Sequence, residues 1–212
     1  MATRSHVNRL DDVREQALAK LQTFEVLMRD GHFDYHNGFH GRVYLNPHQL
    51  FCQPSIIWRF AQDLIDLLPA ELLGQTDVVA GPATGGALLA HTVAGLLDSR
   101  RALSRPPTLF APFRPDGSGS QGLTPFYAQQ IKGRRVLLVD DVRNTGQTLV
   151  RCAELVRAAG GSVVATAQIY DRMEAVFDAG APNVALAEYK APENLEASSC
   201  PLCRDGVPVT AF

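Results

Sequence analysis

The sequence has 212 residues, of which 46% are hydrophobic and 20% are charged, and its formal net charge is −2. This balance predicts one globular domain with a sizeable core, and it excludes a disordered chain and a general basic surface for nucleic acid. The sequence has no apolar run of the ~20 residues that span a membrane, and its start lacks an apolar secretory core. We therefore expect a cytoplasmic protein with neither nucleic-acid nor membrane partners.

The N-terminal quarter predicts one long helix followed by short elements. Apolar residues recur at helical spacing from Val7 to Arg29, and Asp30-Gly31 is a typical stop signal. The segment from Phe33 to Leu50 is rich in His, Gly, Asn and aromatic residues, which favours turns and short strands. A proline at position 54 then opens a second helix, which we expect to end at about Leu68.

Apolar strands and helices alternate from residue 77 onward. This alternation predicts an α/β domain with a parallel sheet and helices on both faces, and ligands of such sheets bind at the carboxyl ends of the strands. The glycine- and serine-rich stretch 115–122 predicts a mobile segment, and the tail after Lys190 is expected to be irregular. The expected strands are 77–80, 108–111, 135–139, 162–169 and 184–187, and the expected helices are 87–97 and 147–159.

The most specific feature is the segment from Val136 to Thr148. Its four apolar residues place two adjacent carboxylates, Asp140 and Asp141, at the edge of the sheet. Such a pair can accept hydrogen bonds from a vicinal diol or hold Mg²⁺ through water. The turn that begins at Asn144 opens a helix whose free N–H groups favour a phosphate, and its threonine hydroxyls add donors. These features together predict a ribose 5-phosphate site.

At these residues the chain resembles the type I phosphoribosyltransferases, whose motif is an apolar strand, two acidic residues and a Thr/Ser-Gly-x-Thr/Ser turn. The resemblance implies binding of 5-phosphoribosyl-1-pyrophosphate (PRPP). Arg143 and Asn144 depart from the motif, because the family usually has an aliphatic and a small residue there. The alternative is a strand that ends in Asp-Asp before an ordinary helix cap. The PRPP-binding residues implied here are Asp140, Asp141, Val142, Arg143, Asn144, Thr145, Gly146, Gln147 and Thr148.

A glycine-rich loop follows the strand at 77–80. Backbone N–H groups of such a loop can surround a pyrophosphate, although the pattern by itself also fits a tight turn between a strand and a helix. The loop lies two strands before the Asp-Asp segment and resembles the pyrophosphate loop of the same family. The residues expected to contact PRPP here are Ala83, Thr84, Gly85 and Gly86.

Segments near both chain ends resemble the orotate phosphoribosyltransferases. Residues His32 to Asn46 resemble their N-terminal hood, and Cys200 to Pro208 resemble the tail of one subgroup. Asp171-Arg172 resembles a pair whose arginine holds the orotate carboxylate. The resemblance implies a single domain of residues 1–212: a Rossmann-like core, and a small hood of about residues 1–50 with the tail 190–212. The base-binding residues implied are His36, Tyr44 and Arg172; the alternatives are an exposed loop residue for His36 and a surface ion pair for Arg172.

The segment from Phe113 to Phe126 corresponds to the mobile lid of the orotate group. That lid usually carries lysines and a histidine, which neutralise the departing pyrophosphate. Here the segment contains one arginine, Arg114, and neither lysine nor histidine. We assign Arg114 to catalysis together with Asp140 and Asp141, and Arg143 or Lys132 are further cations that would replace the lost charge.

Four cysteines stand at positions 52, 152, 200 and 203, and in a cytosolic chain they do not predict a disulfide framework. A structural zinc site needs four ligands, and only Cys200 and Cys203 lie together in the sequence. His40 and His48 show no matching ligand spacing. We therefore expect no metal site in the protein and a buried or capping role for the tail, with a redox pair as the alternative.

The function implied by the resemblance is transfer of the 5-phosphoribosyl group from PRPP, bound with Mg²⁺, to a nucleobase, with orotate as the leading acceptor. A homodimer is implied as well. Three alternatives stay open: another base as acceptor, a non-catalytic PRPP or nucleotide sensor, and a dimeric interaction scaffold. A sensor would bind PRPP without turnover, whereas a scaffold would not bind PRPP at all.

Overall fold

The computed structural model describes residues 2–35, 38–102, 104–116, 120–173, 177–190, 192 and 194–211, with the side chains of 2–10 and 48 undefined. The expected base-binding residue His36 and the lid residues 117–119 therefore lie outside the described part. Among the described residues, no helix combines the length and the apolar character that crossing a bilayer requires.

The N-terminal part is a long helix followed by short strands. Its elements are α1 (Ala2–Thr23), β1 (Leu27–Met28), β2 (Phe33–Asp34), β3 (Phe39–Gly41), β4 (Tyr44–Leu45) and α2 (His48–Cys52). The expected short strands are confirmed, but α1 ends at Thr23 rather than at Arg29. It ends early because Glu25 adopts a left-handed backbone with φ of 55°, which turns Val26 and Leu27 into the core.

The central part alternates strands and helices. The helices are α3 (Pro54–Leu67), α4 (Ala70–Gln75), α5 (Gly85–Ser99), α6 (Pro125–Ile131) and α7 (Gln147–Ala158), and the strands are β5 (Val78–Pro82), β6 (Leu109–Pro115), β7 (Gln121–Gly122), β8 (Arg135–Arg143), β9 (Ser162–Asp171) and β10 (Asn183–Glu188). They form one sheet in the order β10-β9-β8-β5-β6-β7, parallel except for β7. The predicted α/β class is confirmed.

Strand β8 lies in the interior of this sheet and is buried on both faces. Leu137 and Val139 pack with the apolar side chains of α1, α3 and α5 on one face. Val136 and Leu138 pack with those of α6 and α7 on the other face. The strand is longer than expected, because it continues to Arg143 through the acidic pair. The acidic pair is thus held by regular β structure and not by a loop.

The tail after Lys190 has more structure than its sequence indicates. It contains β11 (Leu195–Glu196), a short 3₁₀ turn (Ala197–Ser199) and α8 (Pro201–Arg204). Strand β11 pairs antiparallel with β3, which extends the β2–β3 pair to three strands. The expectation of an irregular tail is wrong because the open edge of β3 offers backbone groups that a returning segment can pair with. We call β1 to β4 together with β11 the hood.

Alanine substitution at Leu137 and Leu138 tests the two-sided burial of β8. Each side chain is fully buried, and they lie on opposite faces, so each single change should lower the free energy of unfolding by about 2–5 kcal/mol. Chemical denaturation measures this. Leu88→Ala is the control, because Leu88 is 45% exposed and its loss should cost about 0.5 kcal/mol or less. A large cost at only one of the two positions would contradict the two-layer arrangement.

Candidate active site

The acidic pair lies at the carboxyl end of β8. Asp140 is buried and Asp141 is partly buried. The backbone N–H of Asp141 donates to Oδ1 of Asp140 at 3.0 Å, and the N–H of Val142 donates to Oδ1 of Asp141 at 3.0 Å. These bonds fix the orientation of both carboxylates at the sheet edge.

The glycine-rich loop between β5 and α5 lies directly against both carboxylates. A Cβ atom on Gly85 would stand 2.2 Å from Oδ2 of Asp141, and one on Gly86 would stand 2.7 Å from Oδ1 of Asp140. Real Cβ atoms do not approach other heavy atoms this closely, so glycine at both positions permits the contact. The peptide bond between Ala83 and Thr84 in this loop is cis. The structure therefore brings together the two segments that the sequence assigned to PRPP.

The acidic pair is electrostatically unfavourable in the folded protein. Burial raises the pKa of Asp140 well above its usual range, and the adjacent carboxylate of Asp141 adds to the rise. The pair therefore resists carrying two negative charges. A cation or hydroxyl donors placed at this edge would relieve that cost, because they stabilise the ionised form.

The turn after β8 presents a helix N-terminus at the same edge. Gly146 precedes α7 with a left-handed backbone, φ of 84°, and among the described residues no side chain caps the helix there. The first N–H groups of α7 are consequently available to an anion. Thr145 accepts a hydrogen bond on its backbone oxygen from the N–H of Phe177 at 2.9 Å. Asn144, Gln147 and Thr148 are exposed beside it.

Arg143 occupies the last position of β8, and its side chain turns sideways to β9. Its Nε donates to Oδ2 of Asp171 at 2.9 Å, and its Nη2 contacts the same oxygen. Both side chains of this ion pair are largely buried. The guanidinium of Arg143 is thus engaged by Asp171, and within the turn Arg143 offers its backbone to a phosphate. Asp171, which the sequence grouped with Arg172, serves as this partner.

A cavity of about 330 Å³ separates the hood from the strand ends. It contains two of the expected base-binding residues, Tyr44 and Arg172, next to Val142 and Asn144 of the PRPP segment. Its volume lies within the range of small-molecule sites. Tyr35, within the hood segment expected to face the base, also lines the cavity, whereas Tyr170 and Asn194 were missed from the sequence because their positions depend on tertiary packing.

Tyr170 is a neutral donor in the floor of this cavity. Its hydroxyl donates to the backbone oxygen of Tyr189 at 3.1 Å. Burial raises the pKa of Tyr170 to about 12, and the guanidinium of Arg172 opposes the rise. The hydroxyl therefore stays protonated at neutral pH.

A larger cavity of about 760 Å³ opens at the opposite edge of the sheet. It contains Asp77, just before β5, and Arg135 at the start of β8. The side chain of Arg135 donates to both carboxylate oxygens of Asp77, at 3.0 and 3.1 Å, which lowers the pKa of Asp77. Because ligands of parallel sheets bind at the carboxyl ends of the strands, this cavity is not the candidate active site.

Arg114, Arg143 and Lys132, the cations considered as replacements for lid charge, lie at different places relative to the acidic pair. Arg114 is exposed near the carboxyl end of β6, where it pairs with Gly122 of β7 in a hairpin. Lys132 follows α6 and precedes β8, so it lies at the opposite edge from the acidic pair. The suggestion that Lys132 replaces lid charge is therefore wrong, and Arg143 is engaged by Asp171. Arg114 is the one of the three that remains near the site.

The structure places two histidines beside the neighbouring cysteines of the tail. Cys200 and Cys203 do not lie alone: a nitrogen of His32 and a nitrogen of His40 stand within 4.8 Å of their sulfur atoms. The sequence did not indicate this grouping because the histidines lie at least 160 positions away, and the pairing of β11 with β3 brings them together.

An acidic pair, a glycine loop and a helix N-terminus at one carboxyl edge define a binding protein for a sugar phosphate or nucleotide. Comparison with known proteins supports this class of binding site. Residues 55–184 match the model of the phosphoribosyl transferase domain, and the chain belongs to this family.

Curated relatives narrow the comparison. An orotate phosphoribosyltransferase of Caldanaerobacter subterraneus subsp. tengcongensis is 31% identical, with 92% of this chain and 95% of that protein covered. One of Erythrobacter litoralis is 33% identical, with 84% and 86% covered. The crystal structure of orotate phosphoribosyltransferase from Aeropyrum pernix aligns with a TM-score of 0.62 and 26% identity over 81% of this chain and 93% of that one.

Asp140→Asn should stabilise the protein at neutral pH. An acid whose pKa is raised by folding loses stability as the pH climbs above its unfolded pKa of about 3.9. Asparagine removes that loss, so we expect a gain of about 0.5–2 kcal/mol at pH 7, which shrinks as the pH falls toward 4. Thermal unfolding across this pH range measures it. Asp66→Asn, at an exposed position, is the control and should show no pH-dependent gain; a loss of stability in Asp140→Asn at pH 7 would contradict the electrostatic argument.

Proposed function

We propose that this protein transfers the 5-phosphoribosyl group from PRPP to orotate, releasing pyrophosphate and forming orotidine 5′-monophosphate. The observation that carries the proposal is the contact of Gly85 and Gly86 with the carboxylates of Asp141 and Asp140. This contact unites an acidic pair, a glycine loop and the N-terminus of α7 in one place. The three parts match the chemistry of a ribose that carries phosphate at one end and pyrophosphate at the other.

The roles of the core residues follow from their positions. Asp140 and Asp141 would accept hydrogen bonds from the ribose hydroxyls. Asn144 to Thr148 would bind the 5-phosphate through the backbone of the turn and the first N–H groups of α7, and Ala83 to Gly86 would face the pyrophosphate. Mg²⁺ would enter with PRPP as part of the substrate, where carboxylate oxygens such as those of Asp140 and Asp141 suit it.

The cavity under the hood fits the acceptor. Its volume of about 330 Å³ suits a single flat ring with room for part of a ribose. Arg172 offers a planar guanidinium, which can bind a carboxylate with two parallel hydrogen bonds, and Tyr44 offers an aromatic wall. Among nucleobases that carry a carboxylate, orotate is the one that the relatives' names support.

The reaction needs position and electrostatics more than a general base. A ring nitrogen of the base attacks the anomeric carbon as the bond to pyrophosphate breaks, and positive charge develops on the ribose ring. In this proposal the carboxylates of Asp140 and Asp141 would stabilise that charge. Arg114 would approach the leaving pyrophosphate from the hairpin of β6 and β7. A homodimer is part of this proposal, and the exposed rings of Trp58 and Phe126 offer apolar surface for it.

A second function is favoured by the composition of the lid. Residues 113–126 contain one arginine and neither lysine nor histidine. Each missing contact to the leaving group typically costs ~10²–10³ in rate. A protein that keeps the PRPP site but lacks lid charge would act as a PRPP sensor. Alternatively, it would transfer the phosphoribosyl group to another base, with Arg114 as the lid cation that neutralises the pyrophosphate.

Gly85→Ala tests the PRPP site. The added methyl group would collide with Asp141, so we expect the affinity for PRPP with Mg²⁺ to fall about tenfold or more, which corresponds to at least ~1.4 kcal/mol. Calorimetric titration measures this, and addition of orotate with detection of pyrophosphate follows in the same sample. Gly95→Ala is the matched control in the same helix, because a Cβ there meets no atom of the described residues within 4 Å; it should keep PRPP affinity and gain about 0.5–1 kcal/mol of stability.

The outcomes separate the candidate functions. Binding in the wild type together with pyrophosphate release on addition of orotate supports the proposed enzyme. Binding without release, with orotate and with a panel of other bases, indicates the sensor. If the wild type does not bind PRPP, or if both alanine variants bind as the wild type does, the assignment of the site is wrong.

Arg172→Ala tests the acceptor pocket separately. Loss of a charged hydrogen-bonding partner should lower kcat/KM for orotate about 10- to 100-fold. PRPP affinity should change little, because Arg172 follows β9 and belongs neither to the glycine loop nor to the turn after β8. Steady-state kinetics with each substrate varied in turn measures both effects. Arg100→Ala, at an exposed position, is the control. An equal loss for PRPP and orotate would show that Arg172 supports the site in general and does not select the base.

A further inference from the structure

Four potential metal ligands from distant parts of the chain meet beside the hood strand β3. His32 precedes β2 and His40 lies in β3, whereas Cys200 directly precedes α8 and Cys203 lies within it. One ligand atom from each lies within 4.8 Å of all the others. His32, His40 and Cys200 are buried, and Cys203 is exposed. None of these residues takes part in the site described above.

The distances resemble the edges of a tetrahedron. Zinc bonds of about 2.0–2.1 Å to nitrogen and 2.3 Å to sulfur imply ligand separations of about 3.3–3.8 Å. Sγ of Cys203 stands 3.4 Å from Nδ1 of His40 and 3.8 Å from Nε2 of His32, and Sγ of Cys200 stands 3.5 Å from the latter. The two ring nitrogens are 2.9 Å apart, so a small separation of the rings would complete the arrangement.

A backbone contact orients the ring of His32 toward the cluster. Nδ1 of His32 lies 2.9 Å from the carbonyl oxygen of Val207. A carbonyl oxygen can only accept, so Nδ1 carries a proton and Nε2 is the ring nitrogen that faces the two sulfur atoms and can bind a metal. Metal-bound imidazoles are typically held in this way, by donation from the second nitrogen to a carbonyl or carboxylate.

Backbone hydrogen bonds connect the segments that carry the four ligands. Strand β11 pairs with β3, and Leu195 is opposite His40. The N–H of Thr210 donates to the oxygen of His32 at 2.7 Å, and the N–H of Asp34 donates to the oxygen of Thr210 at 3.0 Å. These backbone hydrogen bonds hold the segments that carry the ligands next to one another.

We propose that His32, His40, Cys200 and Cys203 bind one Zn²⁺ ion as a structural site that joins the tail to the hood. Two imidazoles and two thiolates are a ligand set that selects tetrahedral zinc over oxygen-preferring ions such as Mg²⁺. With four protein ligands the coordination is complete, and no position remains for water or substrate. The site therefore stabilises structure and does not take part in the transfer reaction.

Metal analysis of the purified, reduced wild-type protein, without PRPP or orotate, tests the proposal. We expect one zinc per chain by elemental analysis. After chelation and addition of Co²⁺, we expect the strong visible absorption of a tetrahedral thiolate site. Cys200→Ser with Cys203→Ser should lose zinc, and so should His32→Ala. Cys52→Ser is the matched control and should keep it, because Cys52 is an exposed free cysteine in α2 outside the cluster.

Thermal unfolding gives a second readout on the unmutated chain. Removal of tightly bound zinc should lower the Tm by about 10 °C, and added Zn²⁺ should restore it. This measurement remains decisive if the variants do not fold. Metal-free wild type that takes up neither zinc nor cobalt would overturn the proposal, as would zinc bound equally by the cysteine variants. A Cys200–Cys203 disulfide whose reduced form binds no metal would instead show a redox pair. Because substrates are absent, failure here leaves the proposed transferase activity untouched.

Discussion

The contact between two glycines and two carboxylates is the constraint on which the rest of the site depends. Gly85 and Gly86 open α5, and any side chain at either position would collide with Asp141 or Asp140. The contact is made across neighbouring parallel strands, β5 and β8, so a short loop suffices to bring the start of one helix onto the end of the adjacent strand. The third part, the N-terminus of α7, then follows at the same edge because it continues from β8. One close approach thus sets the positions of all three parts.

Burial of the acidic pair lowers the stability of the folded protein, and packing of the hydrophobic core offsets that loss. Burial beside Asp141 raises the pKa of Asp140, and strand β8 holds both residues in place because it is covered on both faces. The nearest cation in the sequence, Arg143, is engaged by Asp171 of β9. Arg143 therefore does not neutralise the acidic pair, which a bound cation or hydroxyl donors would stabilise. Stability given up in this way is characteristic of binding sites.

The features that could be predicted from the sequence are those encoded by residues close together in the chain. The βα alternation and the Asp-Asp and glycine segments are local patterns, and the strands, the sheet edge and the meeting of the two loops followed from them. The early end of α1 at Thr23, the pairing of β11 and the ion pair of Arg143 depend on tertiary packing, which overrides local propensity. The partners of Cys200 and Cys203 were missed for the same reason: ligand spacing reveals a metal site when the ligands are neighbours in sequence, and these come from opposite ends of the chain.

The pairing of β11 with β3 also sets an order in biosynthesis. Residues 39–41 and 195–196 form adjacent strands, so their contact is among the most non-local in the chain, and such contacts form late because loop closure must come first. The central sheet up to β9 can assemble on the ribosome while β3 still has an unpaired edge. During that interval the edge is open to pairing with other chains, a known route to misassembly. Strand β11, which is synthesised after the central sheet, therefore covers the edge of β3 that is open until then.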